Sequence, residues 1–223
     1  PVRRSGQADV VSLDDDWRFI RYGLQADGTR VEEPAGMFET GVDDSGWEKL
    51  DVPHDFAITG PFRMDLSGNT GRLPYQGIGW YRKTFTVDKA DQGKRFYVDF
   101  DGVMAYAKVW LNGEYVGTWP YGYNSFRLDL TPFIKVGEPN VLAVRTDTEK
   151  WESRWYPGAG IYRHVWLVKT GQVHVKHWGT KMEAENLTAR TADLHFTVEV
   201  ENHLDEAAKA VVKTSVYELD SLD

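Results

Sequence analysis

No window of twelve residues in this chain of 223 keeps a 3.6-residue period, which leaves no room for a helical fold. Alternation takes its place. Phe96, Val98 and Phe100 alternate with Arg95, Tyr97 and Asp99, and Phe126, Leu128 and Leu130 alternate with Arg127 and Asp129. A period of two puts successive side chains on opposite faces of a strand. Asn112-Gly113 stands between Ala107–Leu111 and Glu114–Thr118. Both central residues of a type I′ turn need positive φ, so this dipeptide predicts a two-residue hairpin. Thr131-Pro132 reads as a cap followed by proline at the first helical position, giving one short turn before Lys135-Val136-Gly137. Ala207–Lys213 comes nearest to a helical pattern, but its flanks, Thr197–Val200 and Thr214–Tyr217, read as strands. The expectation is an all-β chain built as an antiparallel sandwich of jelly-roll type.

The texture changes near Thr170-Gly171. Before that point the chain is rich in Trp, Tyr and Gly; after it Thr, Val, Ala and Glu dominate. Strands are expected there at Val173–His177, Asp193–Asn202 and Ala210–Glu218. Residues 9–170 are thus expected to form one sandwich and 171–223 to begin another. With hydrophobics at 41% and nine Trp, a sizeable core is available and aromatic surface is left over. The net charge of -8 argues against nucleic acid or an anionic membrane as partner. No apolar run approaches the ~20 residues that span a bilayer. No signal peptide pattern is visible at Pro1. The absence of Cys excludes disulfide and thiol chemistry and leaves the compartment, cytoplasm or periplasm, open.

Trp151–Leu167 reads W-E-S-R-W-Y-P-G-A-G-I-Y-R-H-V-W-L, gathering Trp151, Trp155, Tyr156, Tyr162 and Trp166 with Arg154 and Arg163 around a Pro-Gly-Ala-Gly turn. Pro157 fixes its own φ, while Gly158 and Gly160 permit backbone angles that a side chain would forbid. Flat aromatic faces and fork-shaped donors suit a sugar ring, apolar on its C–H face and hydroxylated at its rim. Taken singly, each ring reads first as core, closing one end of a sandwich, since large aromatics usually go inside. A buried unpaired guanidinium is very costly, so Arg154 either pairs with an acid or faces a solvent-filled cleft.

Other motifs are read as structural. His54 and Asp55 follow Pro53 on an extended chain, where neighbours point to opposite sides. They cannot orient one another as base and partner, so Asp55 is expected to accept loop N–H bonds. The six His show no metal-site spacing; His174 and His177 are expected on opposite faces of a strand. Asp14-Asp15-Asp16 and Asp43-Asp44 could ligate Ca²⁺, but each reads better as a loop capping a strand. Asn186-Leu187-Thr188 matches a glycosylation sequon, a weak signal.

Asp43-Asp44-Ser45-Gly46-Trp47 runs into Leu50-Asp51-Val52-Pro53-His54-Asp55, and Gly77-Ile78-Gly79-Trp80-Tyr81-Arg82-Lys83-Thr84-Phe85 follows. Then come Phe100-Asp101-Gly102-Val103, Val109-Trp110-Leu111-Asn112-Gly113 and Phe126-Arg127-Leu128-Asp129-Leu130-Thr131-Pro132-Phe133. Together with Ser153–Arg163, in this order and spacing, they make residues 14–169 resemble the N-terminal domain of glycoside hydrolase family 2. That is the family of β-galactosidases, β-glucuronidases and β-mannosidases. The resemblance implies a galactose-binding-domain-like jelly roll in residues 9–170, followed by an immunoglobulin-like sandwich in 171–223. The latter would be partial, about half of the ~100 residues such a domain takes, leaving sheet edges uncovered. It also implies that both catalytic carboxylates lie in a (β/α)₈ barrel outside these residues, with the acid/base glutamate directly after an asparagine. No Asn-Glu dipeptide exists here. The chain by itself is therefore expected to hold no catalytic residue, while its parent would be a retaining glycoside hydrolase.

In the resembled enzymes, loops of this domain complete the sugar pocket of the barrel. The resemblance carries Asn69 over as a substrate-contacting asparagine, with stabilisation of its Gly-rich turn as the structural alternative, and it places Arg154, Trp155 and Tyr156 at the same pocket. Some members bear an acidic, sodium-associated residue near Arg154; arginine removes that ligand, and no metal or cofactor is expected. The partners implied are a β-galactoside-like carbohydrate and the barrel of the same chain, with homo-oligomerisation open. Two further readings stay open: a free-standing carbohydrate-binding module or lectin, and a scaffold that binds no sugar.

Overall fold

The structure, a computed structural model, describes residues 9–25, 27–59, 64–65, 72, 77–149 and 158–217. They fall into two compact units, the first running Asp9–Lys169 and the second beginning at Thr170. The first unit is built from β1 (Asp9–Ser12), β2 (Trp17–Leu24), β3 (Arg30–Val31), β4 (Glu48–Leu50), β5 (Ile78–Thr86), β6 (Arg95–Phe100), β7 (Ala107–Leu111), β8 (Glu114–Trp119), β9 (Phe126–Asp129), β10 (Pro139–Asp147) and β11 (Val165–Thr170). One sheet has the order β1-β11-β6-β9; the other runs β3-β2-β5-β10-β7-β8, with β4 also paired to β2. The order is far from sequential, as a jelly-roll sandwich requires.

The two sheets enclose a core of Trp17, Phe19, Tyr81, Phe96, Phe100, Val109, Leu111, Phe126, Leu142, Val144 and Leu167. Phe96, Val98 and Phe100 are buried as their alternation predicts, but so are Tyr97 and Asp99 on the other face. Asp99 stands opposite Arg127 in the β6–β9 pair and accepts both guanidinium bonds, at 2.6 and 2.8 Å. The second sheet is covered on its outer face too. Met37, Phe38, Val42 and Trp47, from the chain between β3 and β4, pack on Tyr22, Ile78, Trp80, Trp110 and Ala143. This is why β5 is buried on both faces from Ile78 to Lys83, its two basic side chains included. The Asn112-Gly113 hairpin forms as predicted, with φ of 56° and 87°. Asn112 does more than turn: its amide donates to Phe133 O and Asn140 Oδ1, and its Oδ1 accepts from the Val141 N–H at 3.0 Å.

The second unit is a single antiparallel hairpin, β12 (Val173–Glu185) with β13 (Asp193–Asn202). β13 matches its expected span, whereas β12 runs on past His177 through an irregularity at Trp178, whose φ is 56°. Ala210–Glu218, expected as a strand, is not one: the chain to Tyr217 carries no regular structure. A strand needs a neighbour for its N–H and C=O groups, and among the described residues none lies alongside this segment. Val175, Met182, Leu194, Phe196 and Val200 form an apolar face that is largely exposed.

Candidate functional site

One end of the sandwich is assembled around the segment that begins at Gly158. The His54 and Phe56 N–H groups donate to Ile161 O and Ala159 O on one side, at 2.7 and 2.9 Å. On the other side Met104 and Gly160 exchange both backbone bonds, at 2.9 and 2.7 Å. Asp55 clamps the segment, its Oδ1 accepting from the Ala57 and Ala159 N–H groups, each at 2.9 Å. A Cβ on Gly158 would meet Asp55 Oδ2 at 2.4 Å, so this glycine is required for space. Gly160 is required for both reasons: its φ is 120°, and a Cβ there would lie 2.2 Å from Tyr81 Oη.

Asp55 thus holds the structural role expected of it, and His54 turns away from it. His54 Nδ1 lies 2.8 Å from Tyr81 Oη, and its ring packs edge-on against Phe19 with centroids 4.8 Å apart. Burial pushes the imidazole pKa below its ordinary 6.5. Burial likewise lifts the fully enclosed Tyr81 phenol well above 10. Both groups are therefore neutral in the fold at pH 7. They brace the loop that carries Gly158–Ile161 rather than move protons to a ligand.

The proposed sugar contacts, Asn69, Arg154, Trp155 and Tyr156, lie outside the described residues. The residues flanking their segments are described, and they share this end of the sandwich. Gly77, which follows the Asn69 segment, is bonded to Thr148 through Thr148 N–H to Gly77 O at 2.9 Å. Its own N–H donates to Thr148 Oγ1 at 3.2 Å. Glu149, just before the Trp151 segment, pairs with Arg30 at 2.9 Å. Arg21 lies beside them, 5.1 Å over the Phe56 ring.

Two tyrosines at this end pass unremarked in a reading of the sequence. Tyr121 and Tyr123, between β8 and β9, are exposed with ring centroids 5.6 Å apart. Tyr162 fixes their loop by donating to Gly122 O at 2.7 Å. Their exposed rings form an aromatic platform at this end. The signal was available in Tyr121-Gly122-Tyr123, but a short aromatic loop reads equally well as core until exposure is known.

The acidic runs of this unit serve the fold. Asp14 accepts from the Val165 N–H and binds His164, Asp43 accepts from the Ser45 N–H, and Asp44 pairs with Arg82. Asp51 accepts from the Asp16 N–H at 2.8 Å.

Residues 10–171 match the family model described as glycosyl hydrolases family 2, sugar binding domain. A β-galactosidase of Bacteroides ovatus, BoGH2A, is 46% identical over 204 residues, covering 90% of this chain and 23% of the relative. A putative β-glucuronidase of Formosa agariphila is 39% identical over 176 residues, 78% of this chain and 16% of the relative. The solved structure of a β-glycosidase from Bacteroides vulgatus superposes with a TM-score of 0.78 at 32% identity, over 89% of this chain and 25% of that one. The chain spans about a quarter or less of the length of these relatives.

Proposed function

The chain belongs to glycoside hydrolase family 2, with that family's sugar-binding domain over residues 10–171, and we propose that it is the non-catalytic, substrate-facing part of a longer retaining glycosidase acting on β-galactosides. The observation that carries the galactoside reading is the 46% identity to a β-galactosidase across 90% of the chain. In this reading the acid/base and nucleophile carboxylates are supplied from elsewhere in the longer polypeptide. The present residues line one side of the pocket. Arg154 donates to substrate hydroxyls, Trp155 or Tyr156 offers a ring face, and Asn69 reaches a hydroxyl from the neighbouring loop. The convergence of both flanking segments on one end of the sandwich supports this assignment. Residues 171–223 then begin an immunoglobulin-like domain, a reading supported by a hairpin with one polar and one apolar face.

A β-glucuronidase is the second reading. It is favoured by the 39% identical Formosa agariphila relative and by the match between a guanidinium fork and a uronate carboxylate. Kinetics of the longer enzyme on aryl β-galactoside and aryl β-glucuronide separate the two. A charge-assisted hydrogen bond contributes roughly 1.5–3 kcal/mol, so Arg154→Ala should lower kcat/KM by about 10- to 150-fold with little change in Tm. A large fall in Tm with unchanged kinetics would place Arg154 in the scaffold instead.

A further inference from the structure

We propose that His174, Glu201 and His203 form a binding site for a divalent transition metal of the zinc class, at the end of the hairpin where β12 begins. The site follows from strand register. His174 stands directly opposite Glu201 in the β12–β13 pair. His203 is two residues beyond Glu201, and its N–H donates to Gln172 O at 3.0 Å, continuing the ladder past the last strand residue. Residues two apart on one strand share a face, and so do directly opposed residues, so all three side chains project from the same face. Lys176 and Glu199, paired at 2.8 Å, continue that polar face, opposite the apolar one.

The distances fit a shared ion better than direct bonds. Glu201 Oε2 is 3.6 Å from His174 Nε2 and 3.4 Å from His203 Nε2. A charge-assisted hydrogen bond between such groups closes to about 2.7–2.9 Å. Bonds of ~2.0–2.1 Å at tetrahedral angles instead separate neighbouring ligand atoms by about 3.3–3.5 Å. All three ligand atoms lie within 4.8 Å of one another. The two imidazoles are nearly parallel, 13° between planes with centroids 5.4 Å apart, so both present Nε2 toward the same carboxylate.

The surroundings also prepare a ligand. His174 Nδ1 lies 3.0 Å from Gly171 O. A bond donated there leaves the proton on Nδ1 and the lone pair on Nε2, the outer-shell arrangement typical of metal-bound histidine. His174 is buried, which holds its ring in place, while Glu201 and His203 keep the site reachable from solvent. Two imidazoles and one carboxylate suit Zn²⁺, Co²⁺ or Ni²⁺ rather than Mg²⁺ or Ca²⁺, which prefer all-oxygen shells. Three protein ligands leave a position for water. Bound there, the ion would tie the start of β12 to the end of β13. An isolated two-stranded hairpin is marginal in water, so such a staple has a purpose. The proposal is independent of which glycoside the longer enzyme cleaves.

Calorimetric titration of the metal-stripped 223-residue chain with Zn²⁺ provides the test. One equivalent should bind, Co²⁺ at the same site should give the visible absorption of a four- or five-coordinate ion, and amide exchange at His203 should slow. Removing an outer-shell partner costs ~10–100-fold in affinity, so losing a ligand in His203→Ala or Glu201→Gln should cost more than about 100-fold. Circular dichroism shows whether each variant keeps the fold; His203 is partly exposed and tolerates truncation, which guards against a misfolded His174→Ala. His195→Ala, at the exposed His195–Glu185 pair, should leave binding unchanged. Absence of stoichiometric binding overturns the proposal. So does binding that survives His203→Ala, or Mg²⁺ binding as tightly as Zn²⁺.

Discussion

Phe96 of the first unit and Phe196 of the second both lie on alternating strands, yet Phe96 is 1% exposed and Phe196 is 37% exposed. The sequence pattern around the two is alike. What differs is the layer opposite. β6 faces the second sheet across a packed core, whereas Phe196 lies with Val175, Met182, Leu194 and Val200 on a hairpin face that no described residue covers. Alternation thus specifies a strand and its two faces, but burial depends on a partner layer that local sequence does not contain. The same holds for charge. Arg82 is 2% exposed and bonds Asp44, Met37 O and Glu39 O, while Lys176 and Glu199 form their pair in solvent.

The sharpest way to break this contrast is to truncate both phenylalanines. Phe96→Ala should destabilise the first unit by about 3–5 kcal/mol, since it removes a large ring from a close-packed core. Phe196→Ala should cost the second unit less, about 1–2 kcal/mol, because 37% of the residue is already exposed and no close-packed cavity is left behind. Amide exchange resolves the two units separately. Equal losses would mean that the exposed face is covered in solution.

Asp44→Ala is nearly as severe. It removes the counter-ion of a buried guanidinium that keeps only its bonds to Met37 O and Glu39 O, and breaking such a pair costs up to about 3–5 kcal/mol, against no measurable change for Lys176→Ala. Urea denaturation followed by tryptophan fluorescence reads the first, because Trp47 lies under Arg82 with the guanidinium 6.0 Å from its ring.

Much of the first unit was legible because its motifs are mutual. Asp44, from one motif, binds Arg82 from the next, and Asp55 holds the turn that opens at Gly158. The layer of Met37, Phe38, Val42 and Trp47 over the second sheet was not legible, since it lacks any periodicity. Gly158 was expected to serve backbone angle and serves space instead. Tyr121 and Tyr123 could not be told from core without knowing their exposure. The histidines of the second unit were searched along the strand, at His174 and His177, whereas His174 meets Glu201 and His203 across it. Register joins residues that no spacing rule connects. The strand expected at Ala210–Glu218 failed for the reason Phe196 is exposed: propensity without a neighbouring strand does not make a sheet.

The smallest effect concerns His54, and it separates the bracing loop of the first unit from the rest of the chain. Burial holds the folded-state pKa of His54 below the 6.5 of an exposed imidazole. Between those two values the unfolded chain binds a proton that the folded chain does not. Stability is therefore complete above pH 6.5 and declines as pH falls through it toward the folded-state pKa. Tyr81 acts in the opposite sense. Its phenol is held neutral well above 10, so raising the pH beyond 10 ionises the unfolded chain first and again costs stability. The hydrogen-bonded pair brackets a window in which both groups are neutral. His54→Gln keeps a polar group beside Tyr81 Oη but cannot titrate, and it should flatten the acid limb while leaving the alkaline limb in place. Melting temperature against pH for both proteins checks this. An acid limb unchanged by His54→Gln would assign it to a carboxylate such as Asp91, which the bond from Lys169 holds below its ordinary value.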